Sequence, residues 1–86
     1  MPPHLKEPAF QEAIRYEWGG DELSFERTQR NVRKLIGRTP RIVGGMLEMA
    51  TDLGFIYAAK GDWIVKSNSG EIVFYKDETF RRLFDI

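Results

Sequence analysis

Two runs near the carboxyl end constrain the fold more than anything else in the chain. Residues 62–66 read Asp62-Trp63-Ile64-Val65-Lys66 and residues 71–75 read Glu71-Ile72-Val73-Phe74-Tyr75, with Ser67-Asn68-Ser69-Gly70 between them. β-Branched and aromatic side chains fit a pleated, half-buried surface, and a short polar link ending in glycine closes a hairpin with Gly70 at positive φ. Beyond the second run, Phe80, Leu83 and Phe84 fall at i, i+3 and i+4. They form one apolar stripe on a short helix that Asp77 is placed to cap. That stripe has to lie on the sheet, which makes α+β the expected class.

Upstream, the hydrophobic period changes. From Ala9 to Trp18 the chain alternates, with Phe10, Ile14, Tyr16 and Trp18 on one parity and Gln11, Arg15 and Glu17 on the other, the pattern of a half-buried strand. Gly19-Gly20-Asp21 breaks it. Phe25, Val32, Leu35 and Ile36 then recur at helical spacing, with Ser24 as the N-cap and Gly37 as the stop. Thr39-Pro40 begins a connection, and Gly44-Gly45 interrupts the chain beyond it. Met46-Leu47-Glu48-Met49-Ala50 suits a helix by propensity but is short, and Thr51-Asp52-Leu53-Gly54 reads as a turn into Phe55-Ile56-Tyr57-Ala58, so a hairpin is the preferred reading. The expectation is a flexible leader, 1–8, and one α+β domain, 9–86. Its architecture is expected to be a small, mostly antiparallel sheet of 4–5 strands with one central helix and a short C-terminal helix.

At 86 residues the chain supports a single core that buries roughly 60% of the surface exposed on unfolding, and with no cysteine neither disulfides nor thiolate metal sites can supplement it. The opening residues lack the apolar run of a signal peptide, and no stretch approaches the ~20 apolar residues of a membrane span, so cytoplasmic residence is expected.

Catalytic signatures are absent. The one histidine, His4, sits in the leader without a positioned partner, and no dinucleotide, phosphate-loop, zincin or nucleophile-elbow motif occurs. Glu12 shares the parity of Phe10, Ile14 and Tyr16, which leaves three options: the margin of the sheet, a partner arginine, or a functional carboxylate. Asp62 and Glu71 stand at strand ends, where turn roles are ordinary. No enzyme activity, metal or cofactor is expected. Trp18 and Trp63 neighbour glycine-containing turns, where an indole can be partly exposed and act as a binding anchor, although packing is the commoner role.

The strongest surface signal is electrostatic. Net charge is zero, with 13 basic and 13 acidic residues, yet Arg27, Arg30, Arg33, Lys34, Arg38 and Arg41 succeed one another with no intervening acid. On a helix Arg27, Arg30 and Lys34 make one ridge, with Arg33 beside it and Arg38 and Arg41 beyond its end. Such a ridge suits phosphates or an acidic protein surface; the bland alternative is a solvated face.

Lys60-Gly61-Asp62-Trp63-Ile64-Val65-Lys66, with Gly70-Glu71, Lys76 and Phe80 after it, resembles a family of small bacteriophage and prophage proteins. Its members carry a Gly-Asp-aromatic-Ile strand, a Gly-Glu hairpin and a phenylalanine-bearing C-terminal helix. Pro8, Glu12-Ala13-Ile14 and Tyr16 are similar to the family's opening strand, and Gly37 fits its middle. The sequence departs from the family at Phe74-Tyr75, where members often carry Pro-Cys, and in the basic stretch 27–41. The resemblance implies phage origin and a compact strand-rich fold, and supplies no active site. The resulting expectation is a phage-encoded, non-enzymatic accessory protein that binds and inhibits or modulates a host macromolecule, such as a component of antiviral defence. The alternative is a nucleotide or nucleic-acid binder that uses the 27–41 basic segment with Trp18 or Trp63. No membrane partner is expected, and unpaired sheet edges leave a homodimer open.

Overall fold

The computed structural model describes residues 10–85, so the leader and His4 lie outside the described residues. Among these residues the chain runs β1 (Phe10–Arg15), α1 (Glu22–Ile36), β2 (Arg41–Val43), β3 (Met46–Thr51), β4 (Gly54–Ala58), β5 (Trp63–Ser67), β6 (Ile72–Tyr75) and α2 (Asp77–Phe84). The α+β class holds and every strand pair is antiparallel. In place of one sheet of 4–5 strands there are two of three, ordered β1-β5-β6 and β2-β3-β4.

The extra strand is β2, where the sequence reads as a connection. Gly44 and Gly45 both take positive φ, 58° and 82°, as the two central residues of the tight turn that matches strand twist. The pair therefore closes a hairpin, with Val43 opposite Met46. The segment 46–51 is a strand, and the 67–70 link turns on Gly70 at φ 92°.

One side of the β1-β5-β6 sheet and the inner side of the β2-β3-β4 sheet share a core with α1. Tyr16, Val32, Leu35, Leu47, Ala58 and Ile64 are buried together there, with Ile14, Ile72 and Phe74 packed around them. Tyr16 is wholly buried, and its hydroxyl accepts a hydrogen bond at 2.8 Å from the Nε2 amide of buried Gln29 on α1. Burial pushes its phenol above the usual tyrosine range, against the lowering effect of the Gln29 bond.

α2 covers the other side of the first sheet. Phe80 is buried and stacks on Trp63 at 4.2 Å and 15°, an aromatic pair that adds ~0.5–1.5 kcal/mol beyond its area burial. Phe10 meets both Phe80 and Phe84. Its place on this face comes from a register shift in β1: Phe10 pairs with Ser67 and Glu12 with Lys66, so Gln11 is an extra residue. The bulge moves Phe10 off the Ile14 face, and Glu12 is left exposed at that face's margin.

Both helix starts differ from the sequence expectation. α1 begins earlier, with extended Asp21 as its N-cap, while the Ser24 hydroxyl accepts the Gly19 N–H at 2.7 Å. α2 has Lys76 as N-cap, and Asp77 is its first residue. The Asp77 carboxylate takes the Trp63 Nε1–H at 2.8 Å and Arg81 at 3.0 Å, with Arg15 at 3.8 Å. These partners, Trp63 foremost, hold its carboxyl below the usual carboxylate range. Gly37, at φ 87°, ends α1 as expected.

Tyr16→Phe leaves the buried Gln29 amide without its acceptor and should lower stability by about 1–3 kcal/mol, read as a shifted urea midpoint at unchanged m. A depressed carboxyl stabilises the folded state above its unfolded value, near 4, and loses that contribution as pH falls through its lower folded value. Asp77→Asn should therefore melt at a lower temperature than wild type at neutral pH, and the gap should close as the solution is acidified below the ordinary carboxylate range.

Candidate functional site

α1 buries Val32, Leu35 and Gln29 and turns Arg27, Arg30, Arg33 and Lys34 to solvent. The ridge expected from spacing is thus formed, because the apolar positions leave the cations no other side of the helix. Arg38 comes directly after Gly37 and is exposed. Among the described residues none of Arg27, Arg30, Arg33, Lys34 and Arg38 enters a salt bridge, whereas Arg15, Lys76, Arg81 and Arg82 do. Five neighbouring, exposed cations raise a local positive potential on a chain of zero net charge; exposed Glu26, next to Arg27 and one turn before Arg30, is the one acid beside them and makes no salt bridge to them among the described residues.

Arg41 begins β2 and behaves differently: its guanidinium lies 3.6 Å from Glu48 Oε1 on β3. Glu48 also accepts the Tyr57 hydroxyl at 2.7 Å, and its side chain is only 10% exposed. Arg41, Glu48 and Tyr57 are cross-strand neighbours in register, so one row of the sheet carries a basic, an acidic and a phenolic group in contact. The Glu48 bond to the neutral phenol, reinforced by the carboxylate's charge, raises the Tyr57 hydroxyl above its ordinary range, and Arg41 opposes it.

Arg38 and Arg41 come together around a depression of about 200 Å³, with Ala50 and Glu48 in its lining and Phe55 opposite the arginines. A second, open cleft of about 430 Å³ is lined by Ile36, Arg38, Met49, Asp52, Glu71 and Ile72 among others. Its mixed charges give no single preference.

Trp18 is not brought to this region. It is half-buried against Tyr16 and Phe25, each in edge-on contact near 5 Å, and Lys60 Nζ sits 5.0 Å from its ring centre. Those contacts occupy the indole with packing and a cation–π pair. Trp63 is taken up by Phe80 and Asp77. Asp62 is buried, with its carboxylate bonded to the Ala59 N–H at 2.8 Å and to Lys76 at 3.1 Å, so it braces the turn into β5. Glu12 is exposed opposite Lys66, and Glu71 lines the open cleft. The three carboxylates stay apart, and among the described residues no cluster of three or more Asp, Glu or His could hold a metal ion. No described helix is long and apolar enough to cross a membrane.

Sequence reasoning missed the outer face of β2-β3-β4. Val43, Met46, Phe55 and Tyr57 all stand on it, partly or largely exposed, with Phe55 at 62%. Read singly, each is an ordinary core residue. The signal that finds them is the unbroken apolar run Phe55-Ile56-Tyr57-Ala58, which puts apolar side chains on both sides of one strand.

Glu48→Gln removes both the charge and the anionic acceptor beside Tyr57. The Tyr57 hydroxyl should then ionise at lower pH than in wild type, monitored through its ring resonances in an alkaline titration; an unchanged midpoint would break the Arg41–Glu48–Tyr57 row as described. No protein-family model, curated protein or solved structure matches the chain.

Proposed function

We propose that the protein is a non-enzymatic binding module that holds an acidic surface of a macromolecule against the basic face of α1 and Arg38. The observation that carries this reading is the set of five exposed cations with no salt bridge among the described residues. A solvated face built for solubility alone has no need of such an excess of one sign, and from Arg27 to Arg41 this chain carries six cations and no acid, its helix acids Glu22 and Glu26 standing before that stretch. Unneutralised charge on a rigid helix accelerates encounter with an oppositely charged partner and selects against basic ones. The resemblance to small phage proteins extends the proposal: an accessory protein working in the host cytoplasm that inhibits or modulates a host macromolecule, antiviral defence included. The same cations suit phosphates, but the indole expected to stack on a base is held under Lys60 and Phe25, which favours a protein partner.

The double variant Arg30→Glu/Lys34→Glu changes two exposed positions, so its stability should stay within about 0.5 kcal/mol of wild type per site. A partner captured by wild type from nuclease-treated host lysate, purified and rebound, should bind the double variant at least about tenfold more weakly, as expected when attraction is turned into like-charge repulsion. Equal binding of both proteins by that partner removes the role given to α1, and capture that disappears with nuclease treatment transfers the site to nucleic acid.

A further inference from the structure

The outer face of β2-β3-β4 is unpartnered, and its chemistry specifies an occupant. Val43, Met46, Phe55 and Tyr57 expose apolar surface on one sheet face, and Arg41 stands among them. Aromatic residues, methionine and arginine are the types enriched where proteins meet proteins, and here the Arg41–Glu48–Tyr57 row runs between two exposed apolar pairs, Val43 with Met46 and Ala50 with Phe55. At one end the face dips. The chain from Arg38 to Arg41 and Phe55 flank the small side chain of Ala50, around an open depression of about 200 Å³. That is below the ~300 Å³ at which small-molecule pockets begin, and fits a single inserted side chain.

We infer that this face is a docking site for an acidic polypeptide segment, with one apolar side chain of the partner set into the depression beside Phe55 and flanking carboxylates paired to Arg38 and Arg41. Charge complementarity selects this occupant. Arg38 has no salt bridge among the described residues, and Arg41 is only half satisfied by Glu48 at 3.6 Å. Glu48 is the one acid in the three strands, and Arg41 and Tyr57 already engage it. A second copy of the chain would therefore bring no free carboxylate on this face, and the occupant has to supply its own. Val43 and Met46 offer nothing to a phosphodiester backbone and much to an aliphatic side chain. The inference rests on the binding-module reading and gives the partner segment its character: acidic, with an apolar anchor.

The test uses two blocked peptides, Glu-Glu-Leu-Phe-Glu-Glu and Gln-Gln-Leu-Phe-Gln-Gln, and a single-stranded thymidine oligonucleotide, each titrated to millimolar concentration into the isotope-labelled full chain. The glutamate peptide should move the amide resonances of Arg38, Arg41, Ala50 and Phe55. It should bind at least about tenfold more tightly than the glutamine peptide, the scale of roughly one charge-assisted contact. Phe55→Ser, at an exposed position, should abolish the shifts while leaving the remaining spectrum in place. The inference is overturned if neither peptide moves these resonances, if both do so equally, if the oligonucleotide binds them more tightly, or if they move with protein concentration alone, which would make a second copy the occupant. Should the peptide fail while Arg30→Glu/Lys34→Glu still loses its lysate partner, the sheet face falls and the role of α1 stands. Should the peptide bind while that double variant keeps its partner, the reverse holds.

Discussion

The burial of Tyr16 is the constraint on which the rest of the structure depends. Tyr16 stands where β1 leaves its sheet, its N–H donating to the Asp62 carbonyl and its own carbonyl accepting from Gly61, both at 2.7 Å. Those bonds fix the turn that carries β4 into β5 and so join the two sheets. Its ring fills the middle of the common core and its hydroxyl takes Gln29, which sets the rotation of α1. A buried phenol without a partner would cost free energy, so the helix can present only the side that carries Gln29. The exposed side of α1 is therefore decided from within: with Val32, Leu35 and Gln29 inward, Arg27, Arg30 and Lys34 have to point out.

Much of this was legible in the residues, and the reasons differ by element. β5, β6 and α2 announce themselves because dense β-branched and aromatic runs, a glycine turn and an i, i+3, i+4 stripe are local signals agreeing with one another. β2 was hidden because three residues are too few for a period, and Gly44-Gly45, a break in most contexts, is here the turn itself. The division into two sheets was hidden as well, since pairing is a long-range property and each strand reads the same in either arrangement. Phe10 misled through the bulge at Gln11, which shifts the parity of what comes before it, while Glu12 keeps its parity with Ile14 and lies at the margin of that face, one of the three options its position left open. Ser24 and Asp77 were given capping roles by residue type, but each spends its oxygen elsewhere: Ser24 on the Gly19 turn and Asp77 on the indole of Trp63.

For the candidate site the contrast is sharper. The cations were visible because charge is carried by residue identity, and a helical period alone places them on one face. The sheet face was invisible because exposure is not carried by identity: Phe55 and Phe80 are the same residue, one standing open beside Arg38 and Arg41, the other buried under Trp63. What separates them is the number of layers. α2 covers the first sheet on its second side, while no described element covers the second sheet on its outer side, so hydrophobic residues on both sides of β4 must leave one set in water.

Arg38 sits where the two surfaces meet, at the end of the α1 ridge and in the lining of the depression beside Phe55. The two surfaces act over different distances. Charges on α1 are felt over about 8–10 Å in ordinary salt and, on the proposed reading, would govern how fast an acidic partner arrives. Apolar contact at Phe55, Tyr57, Met46 and Val43 acts only on touching and excludes water, and would govern how slowly such a partner leaves. If the chain is the binding module proposed, its net charge of zero makes keeping these apart a gain. On the proposed reading, a steering field centred on one helix would not gather polyanions indiscriminately, and retention would be reserved for a partner whose acidic segment also carries an apolar side chain for the depression between Arg38 and Phe55.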